Sequence, residues 1–252
     1  MANRAEIRIG CSGWHYKHWV GRFYPERYPA SKMLDYYLRH FDTVEINNSF
    51  YKLPEINTFA CWRDTTPGDF RFAVKASRFI THNKKLKDPQ NALENFLPRA
   101  EALGDKLGPV LFQLPPKWGI NLARLEEFLT VLPRYHRYTF EFREPSWHTG
   151  ETYALLRRFN AAYCIYELAG YHTPLELTAD WTYVRLHGPG GKYQGSYPAD
   201  TLEAWAERIV EWSERLRAVY VYFDNDDSAY AAHNAIDLKR MVDHKLQAAH
   251  AA

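Results

Sequence analysis

Eight short apolar or alternating runs recur along the chain, most of them separated by helical patterns, and no other property narrows the fold as far. They are "IRIGCSG" from Ile7, "TVEINNSF" from Thr43, "FRFAVKAS" from Phe70, "PVLFQLP" from Pro109, "YTFEFRE" from Tyr138, "AAYCIYEL" from Ala161, "WTYVRLHG" from Trp181 and "AVYVYFDN" from Ala218. In "ASKMLDYYLRHF", Met33, Leu34, Tyr37, Leu38 and Phe41 form an apolar stripe behind a cap at Ser31. "DPQNALENFLPRAEALG" starts at Asp88 and Pro89 and stops at Gly104, with Pro98 expected to bend or interrupt it. "NLARLEEFLTVL", "ETYALLRRF", "DTLEAWAERIVEWSERL" and "SAYAAHNAIDLKRMVDHKL" supply later crossovers. Such alternation implies a mostly parallel sheet with right-handed crossovers.

Eight units in 252 residues fit a closed (β/α)8 barrel, the TIM-barrel class, as a single α/β domain over 1–252 with a core of about 7–244. The sixth crossover, "AGYHTPLELTAD", is too short for a full helix and is expected to be irregular. An open doubly wound sheet is the alternative. "GCSGWHYKHW" after the first run has too few glycines for the dinucleotide fingerprint that such sheets often carry.

A formal charge of +2 gives no global signal for a polyanionic partner, so any case for nucleic acid rests on local patches. Cys11, Cys61 and Cys164 are too scattered for a disulfide framework and are expected to be reduced. "MANRAEIRIGCSGW" lacks the apolar stretch of a signal peptide, and no run approaches the ~18 residues of a membrane span. A cytoplasmic location without membrane association is expected. The oligomeric state is open.

Strand alternation exposes an oddity. In "YTFEFREPSWHTG", Tyr138, Phe140 and Phe142 suit packing against helices, which turns Glu141 and Arg143 into the barrel near its mouth, with Trp147 just beyond. The same parity turns inward Glu45 and Asn47, Lys75, Gln113, Arg185 and His187, and Asp224, with Asn225 next in the chain. Unpaired charge there would be costly, but the acids and bases balance. A carboxylate-rich two-metal centre needs an excess of acids, so no metal ligands and no cofactor are assigned; a single divalent ion on His187 with a carboxylate stays open. Two readings compete: an ion-pair plug that supports the barrel, and a functional site. Buried ion pairs stabilise poorly compared with apolar packing, which favours the site.

Loops at the same end add signals. "SGWHYKHWVGRFYP" brings Trp14 and other rings, either to stack on a ligand or to seal the rim. "SRFITHNKKLKD" brings Arg78, His82, Lys84, Lys85 and Lys87, a phosphate-binding cluster or a solvated basic loop. "HGPGGKYQGSYP" offers glycine backbone, Lys192, Tyr193 and Tyr197 to a ligand, or acts as a lid. In "FDNDDSAY", Asp227 and Ser228 suit helix capping, whereas Asp224 lies earlier, on the strand.

Seven blocks in order, from "GCSGWHYKHWVGRFYP" through "FDTVEINNSFYKLP", "FRFAVKASRFITH", "FQLPPKW", "FEFREPSW" and "YVRLHGPGGKYQGSY" to "VYVYFDNDDSAYAAHNAIDL", closely resemble the YecE-like family of uncharacterised proteins, from about Ile7 to Leu238. The resemblance implies a TIM barrel similar to the endonuclease IV and sugar-isomerase group. By analogy alone it points to phosphodiester or sugar chemistry. The family's eighth-strand signal looks like Phe-Asn-Asn-Asp followed by glycine. Here it is Phe223-Asp224-Asn225-Asp226, with Ser228 and Ala229 where the glycine would fall.

Two functions follow. One is an enzyme, a hydrolase or a lyase or isomerase, acting on a phosphate-bearing or carbohydrate small molecule, or on nucleic acid. In it Glu45, Glu141, His187 and Asp224 do acid–base work, and Trp14, Asn47, Lys75, Gln113, Arg143, Trp147, Arg185, Lys192, Tyr193 and Asn225 bind substrate. The other is a non-catalytic barrel that captures a small anion or a polynucleotide backbone.

Overall fold

The structure, a computed structural model, describes residues 5–251; the first four residues of the N-terminal stretch read for a leader lie outside the described residues. The eight runs form β1 (Glu6–Cys11), β2 (Thr43–Ile46), β3 (Arg71–Lys75), β4 (Leu107–Leu114), β5 (Tyr138–Phe142), β6 (Ala162–Leu168), β8 (Trp181–Leu186) and β9 (Ala218–Phe223); β7 (Tyr171–His172) is an added two-residue strand. The fold class is the (β/α)8 barrel: eight parallel strands alternate with helices along the chain. By internal contacts the chain forms two compact units. The first holds residues up to Val44, Ile165–Thr173 and the chain from Asp180; the second holds Glu45–Cys164 and Pro174–Ala179.

In the first unit β9 lies between β1 and β8, parallel to both, with Tyr222 beside Gly10 on one side and Arg185 on the other. Helices α7 (Ala199–Ser213) and α8 (Tyr230–Ala251) belong to this unit; α7 buries Leu202, Trp205, Ala206, Ile209 and Trp212, a stripe at helical spacing. Helix α1 (Met33–Tyr37) buries Met33 and Tyr37. The Tyr37 hydroxyl accepts from Cys11 N and donates to Thr43 O, both at 2.9 Å, so one phenol joins β1 to the start of β2. Gly10 lets the two backbones close up, since a Cβ there would stand 2.5 Å from Thr43 O.

Ser31 does not cap α1. It sits inside a 3-10 turn (Ala30–Lys32), and neither that turn nor α1 has a side-chain cap bond. The sixth crossover is irregular, as its length predicts. Ala169 and Gly170, both at positive φ (51° and 79°), turn the chain so that β7 pairs antiparallel with the end of β6. Thr173 then ties back to Tyr166 through its own N–H (3.1 Å) and through its hydroxyl, which accepts from Tyr166 N at 2.9 Å.

In the second unit β3, β4 and β5 run parallel in that order, and β5 pairs with Ala162 and Tyr163 at the start of β6. Helices α2 (Asn48–Tyr51), α3 (Ile56–Thr65), α4 (Pro89–Glu101), α5 (Leu122–Val131) and α6 (Gly150–Arg158) lie here. The Phe face of β5 packs outward as expected: Phe128 of α5 meets Phe112 at 4.9 Å and Phe140 at 6.2 Å. Asn121 and Thr149 cap α5 and α6 through bonds to Arg124 N and Thr152 N. Pro98 does not interrupt α4. It lies on the exposed side of the last turns, where the missing N–H leaves a carbonyl that water can reach. Helix α3 had no helical reading in the sequence because it buries only Phe59 and so carries almost no stripe.

Candidate functional site

In the first unit the ends of three neighbouring parallel strands deliver Ser12, Arg185, His187 and Asp224. Ser12 follows β1, Arg185 and His187 bracket the last residue of β8, and Asp224 follows β9. All four are buried, Arg185 and His187 completely. Asp224 Oδ2 accepts from Arg185 Nη2 at 3.2 Å and from His187 Nδ1 at 2.9 Å. Arg185 also donates to Ser12 Oγ (3.3 Å), and its Nη1 lies 3.4 Å from His187 Nε2. With Nδ1–H committed to the carboxylate, Nε2 carries the imidazole lone pair. A carboxylate holding both a guanidinium and an imidazole fixes the ring's tautomer and direction, as acid–base work requires.

The loops around this cluster mostly pack. Trp14 is buried, and its carbonyl accepts from the Tyr24 hydroxyl; Trp19, Phe23 and Tyr24 form a miniature core beside it. His18 and Trp19 reach Asp226 O at 2.7 and 3.0 Å, and Arg22 bonds Asp227 O and Ser228 Oγ, tying the loop after β1 to the loop after β9. The Asp226 carboxyl is pushed up to about 6, first by burial and next by the charge of Asp224. Asn225 is enclosed; its amide donates to Gly195 O and to Asn234 Oδ1. In the glycine-rich loop, Tyr197 takes the Gly188 N–H on its hydroxyl. Gly188 has φ +108° and no room for a Cβ, which would meet Gln194 O at 2.3 Å. Lys192 is exposed. Tyr193, also exposed, sets its ring 5.5 Å from that of His187.

In the second unit the ends of β3 and β5 carry a different cluster. Glu141 is fully buried and bonded to Arg143 Nε, with Cys164 Sγ at 3.9 Å from its other oxygen. Lys75 is buried with Nζ 4.5 Å from the Phe50 ring centre, and its carbonyl accepts from Ser49 Oγ at 2.6 Å. Gln113, partly exposed, is in register with Glu141; Glu45 is fully buried, and Asn47 is half-buried at the end of β2. Trp147 is fully enclosed: its ring stacks on Phe142 at 4.8 Å and its Nε1 donates to Trp118 O, which makes it part of the outer packing.

One residue of the basic loop after the third run, outside the strand-end candidates, joins this group. His82 sits in a π-turn (Phe79–Asn83) after β3, edge-on to Phe50 at 5.0 Å, with Nδ1 2.9 Å from Thr81 Oγ1. Its pKa falls to about 4 through burial and then the charges of Lys75, Arg78 and Arg143. Lys84, Lys85 and Lys87 of the same loop are exposed. Among the described residues no group of three or more His, Cys, Asp or Glu side chains is placed to hold a metal ion, and no helix is long and apolar enough to cross a membrane.

The fold and its ionic strand ends are those of a (β/α)8-barrel protein. The chain belongs to the family described as "Protein of unknown function DUF72", whose model matches residues 8–252. It is 33% identical over 154 residues to UPF0759 protein YecE of Escherichia coli (strain K12); that match covers 60% of this chain and 54% of YecE, so the chain spans about half the length of that relative. It is 27% identical to UPF0759 protein YunF of Bacillus subtilis (strain 168), over 94% of this chain and 95% of YunF. The crystal structure of a DUF72 family protein from Thermotoga maritima aligns with a TM-score of 0.85 at 30% identity, covering 94% of this chain and 99% of that chain.

Proposed function

We propose that this chain is an enzyme acting on a small phosphate-bearing or carbohydrate substrate, with His187 and Asp224 as its acid–base pair and Arg185 holding negative charge. The observation that carries the reading is the single carboxylate oxygen of Asp224 shared by Arg185 and His187 at the ends of adjacent strands. A plain scaffold gains more from apolar residues at such positions. In this role Arg185 Nη1 turns from Nε2 to the substrate and offsets charge that develops there, Nε2 then takes or returns a proton, and Asp224 steadies the imidazolium. Substrate reaches Nε2 when Tyr193 moves off the imidazole. In the second unit Glu141, oriented by Arg143, is a separate candidate for proton transfer. Cys11, Cys61 and Cys164 are all free thiols, which supports a reducing, cytoplasmic setting.

The test is a panel of phosphate monoesters, diesters and glycosides assayed with the wild-type chain and with His187→Gln. Turnover should fall at least about a hundredfold while substrate affinity stays within a few-fold. Absence of turnover across the panel, or full activity in the variant, overturns the assignment; binding without turnover leaves a non-catalytic barrel in its place.

A further inference from the structure

The second unit carries a groove between α4 and the turn that follows α5, with a volume of about 310 Å³. Its floor is apolar: Leu93 and Leu97 come from α4, and Val131 and Pro133 from the end of α5 and the turn. Tyr135 of the same turn lines it and is 75% exposed, so its ring is available to a partner. Val131 is exposed as well. Apolar side chains gathered on one concave surface, unlike single ones scattered elsewhere, mark an interaction site.

The polar atoms of the groove are mostly acceptors. Glu94, Leu97, Pro98 and Glu101 share one face of α4 at i, i+3, i+4 and i+7. Glu101 takes both of its bonds on one oxygen: Oε1 accepts from the Tyr135 hydroxyl at 3.1 Å and from His136 Nε2 at 2.8 Å, which leaves Oε2 for a further donor. Glu94 makes no hydrogen bond or ion pair among the described residues. Pro98 has no N–H to give the carbonyl of Glu94, so a backbone acceptor is left where both residues line the groove. Gln90 adds an amide, which serves either way. No lysine or arginine lines the groove; Arg99 of the same helix is turned to Asn95 and Glu55, and Arg134 lies over the Phe159 ring.

Negative charge and spare acceptors call for a donor-rich cation, and the floor calls for an apolar stem. Arginine joins the two better than lysine. Its stem can lie along the leucines, its planar fork gives two parallel bonds to a carboxylate, and its flat face stacks on a tyrosine ring. A groove with one edge in solvent suits a side chain held by a partner's own backbone; a free small molecule needs most of its surface enclosed. We infer that this groove docks a partner polypeptide, which anchors in it through an arginine flanked by apolar residues. In the complex the guanidinium meets Glu101 Oε2 and Glu94 and lies over the Tyr135 ring, while the flanking residues cover Val131. This docking is independent of the His187–Asp224 assignment.

The full chain, isotopically labelled, is titrated with a capped Leu-Arg-Leu peptide and with the same peptide carrying citrulline, a neutral isostere of arginine. Saturable shifts of the Val131 and Tyr135 resonances are expected with the arginine peptide, and binding at least about tenfold weaker with citrulline. Glu101→Gln keeps an acceptor for Tyr135 and His136 and should weaken the arginine peptide roughly tenfold. Glu94→Gln breaks no contact within the chain and should weaken it about threefold. Glu26→Gln, an exposed glutamate of the other unit, should leave it within about twofold. Unchanged melting curves check that the variants fold. No saturable shift in the groove, equal binding of the citrulline peptide, or wild-type affinity in both groove variants each overturns the docking site. Ethylguanidine titrated alone separates the two sources of the cation: affinity equal to that of the peptide makes a small molecule the ligand and overturns the polypeptide partner.

Discussion

Asp226 carries a cost that can be located. Its carboxyl ionises at about 6 where an unfolded chain would ionise near 4, so the folded state binds the extra proton between those values. Stability from this group is fully present below about pH 4 and is lost as pH rises through 6. Asp226→Asn keeps the backbone carbonyl that His18 and Trp19 use and removes the buried charge. The side chain is a quarter exposed, so the gain is screened; Asn should stabilise by about 1 kcal/mol at pH 7 and by nothing at pH 4, read from urea unfolding at both values. Arg185 is the opposite case. Arg185→Met leaves Asp224 without its buried guanidinium and should cost about 3–5 kcal/mol in the same assay. Strand alternation marks Arg185, His187 and Asp224 in the sequence because each is a polar residue on a face where an apolar one is the norm. His82 escapes that logic, since its position depends on a π-turn that no spacing rule announces. Trp147 misleads for the converse reason: an aromatic next to a strand end looks equally suited to a ligand and to the packing layer it joins.

Among the elements, those with a full apolar stripe or strict alternation are legible, and those set by single contacts are not. Helix α7 shows its buried face in every third or fourth residue, whereas α3 buries one phenylalanine and gives no such sign. Pro98 and Ser31 mark an ending and a beginning that the chain does not use. In each case exposure or a preceding 3-10 turn overrides the local preference. The hairpin between β6 and β7 offers a direct test of turn chemistry. Ala169 occupies a left-handed position followed by Gly170, where asparagine is the favoured residue. Ala169→Asn should raise the unfolding free energy by about 0.5 kcal/mol, measured as a small increase in Tm. Gly188→Ala should do the reverse and disorder the loop over His187, because its Cβ would meet Gln194 O at 2.3 Å. Lost protection of the loop amides in hydrogen exchange would report it.

For the molecule as a whole, His82 and Asp226 set opposing slopes of stability against pH. The His82 midpoint is depressed to about 4, so its contribution is present above its ordinary value of 6.5 and is lost as pH falls toward 4. Asp226 loses its contribution as pH rises over much of the same interval. The two partly cancel in the native chain. His40 and His148, both lowered by burial, add to the His82 slope, and Glu167, raised by burial, adds to that of Asp226. In Asp226→Asn stability should therefore drop more steeply than in the native chain on acidification from 6.5 to 4, and in His82→Gln less steeply. Chemical unfolding at several pH values distinguishes these outcomes. The barrel class is legible because eight alternations in one chain leave few architectures, and the closely matching family structure shares it. The chemistry is less so, since identical ionic residues serve a plug or a site until their distances are known. One further consequence lies in the phenol of Tyr37, whose oxygen accepts a hydrogen bond from one strand and whose hydrogen is donated to the next. Parting Thr43 from the ring frees that hydroxyl to trade hydrogen with solvent, and parting Cys11 frees its amide to do the same, so the two exchange lifetimes are a built-in clock for fraying on either side of this joint.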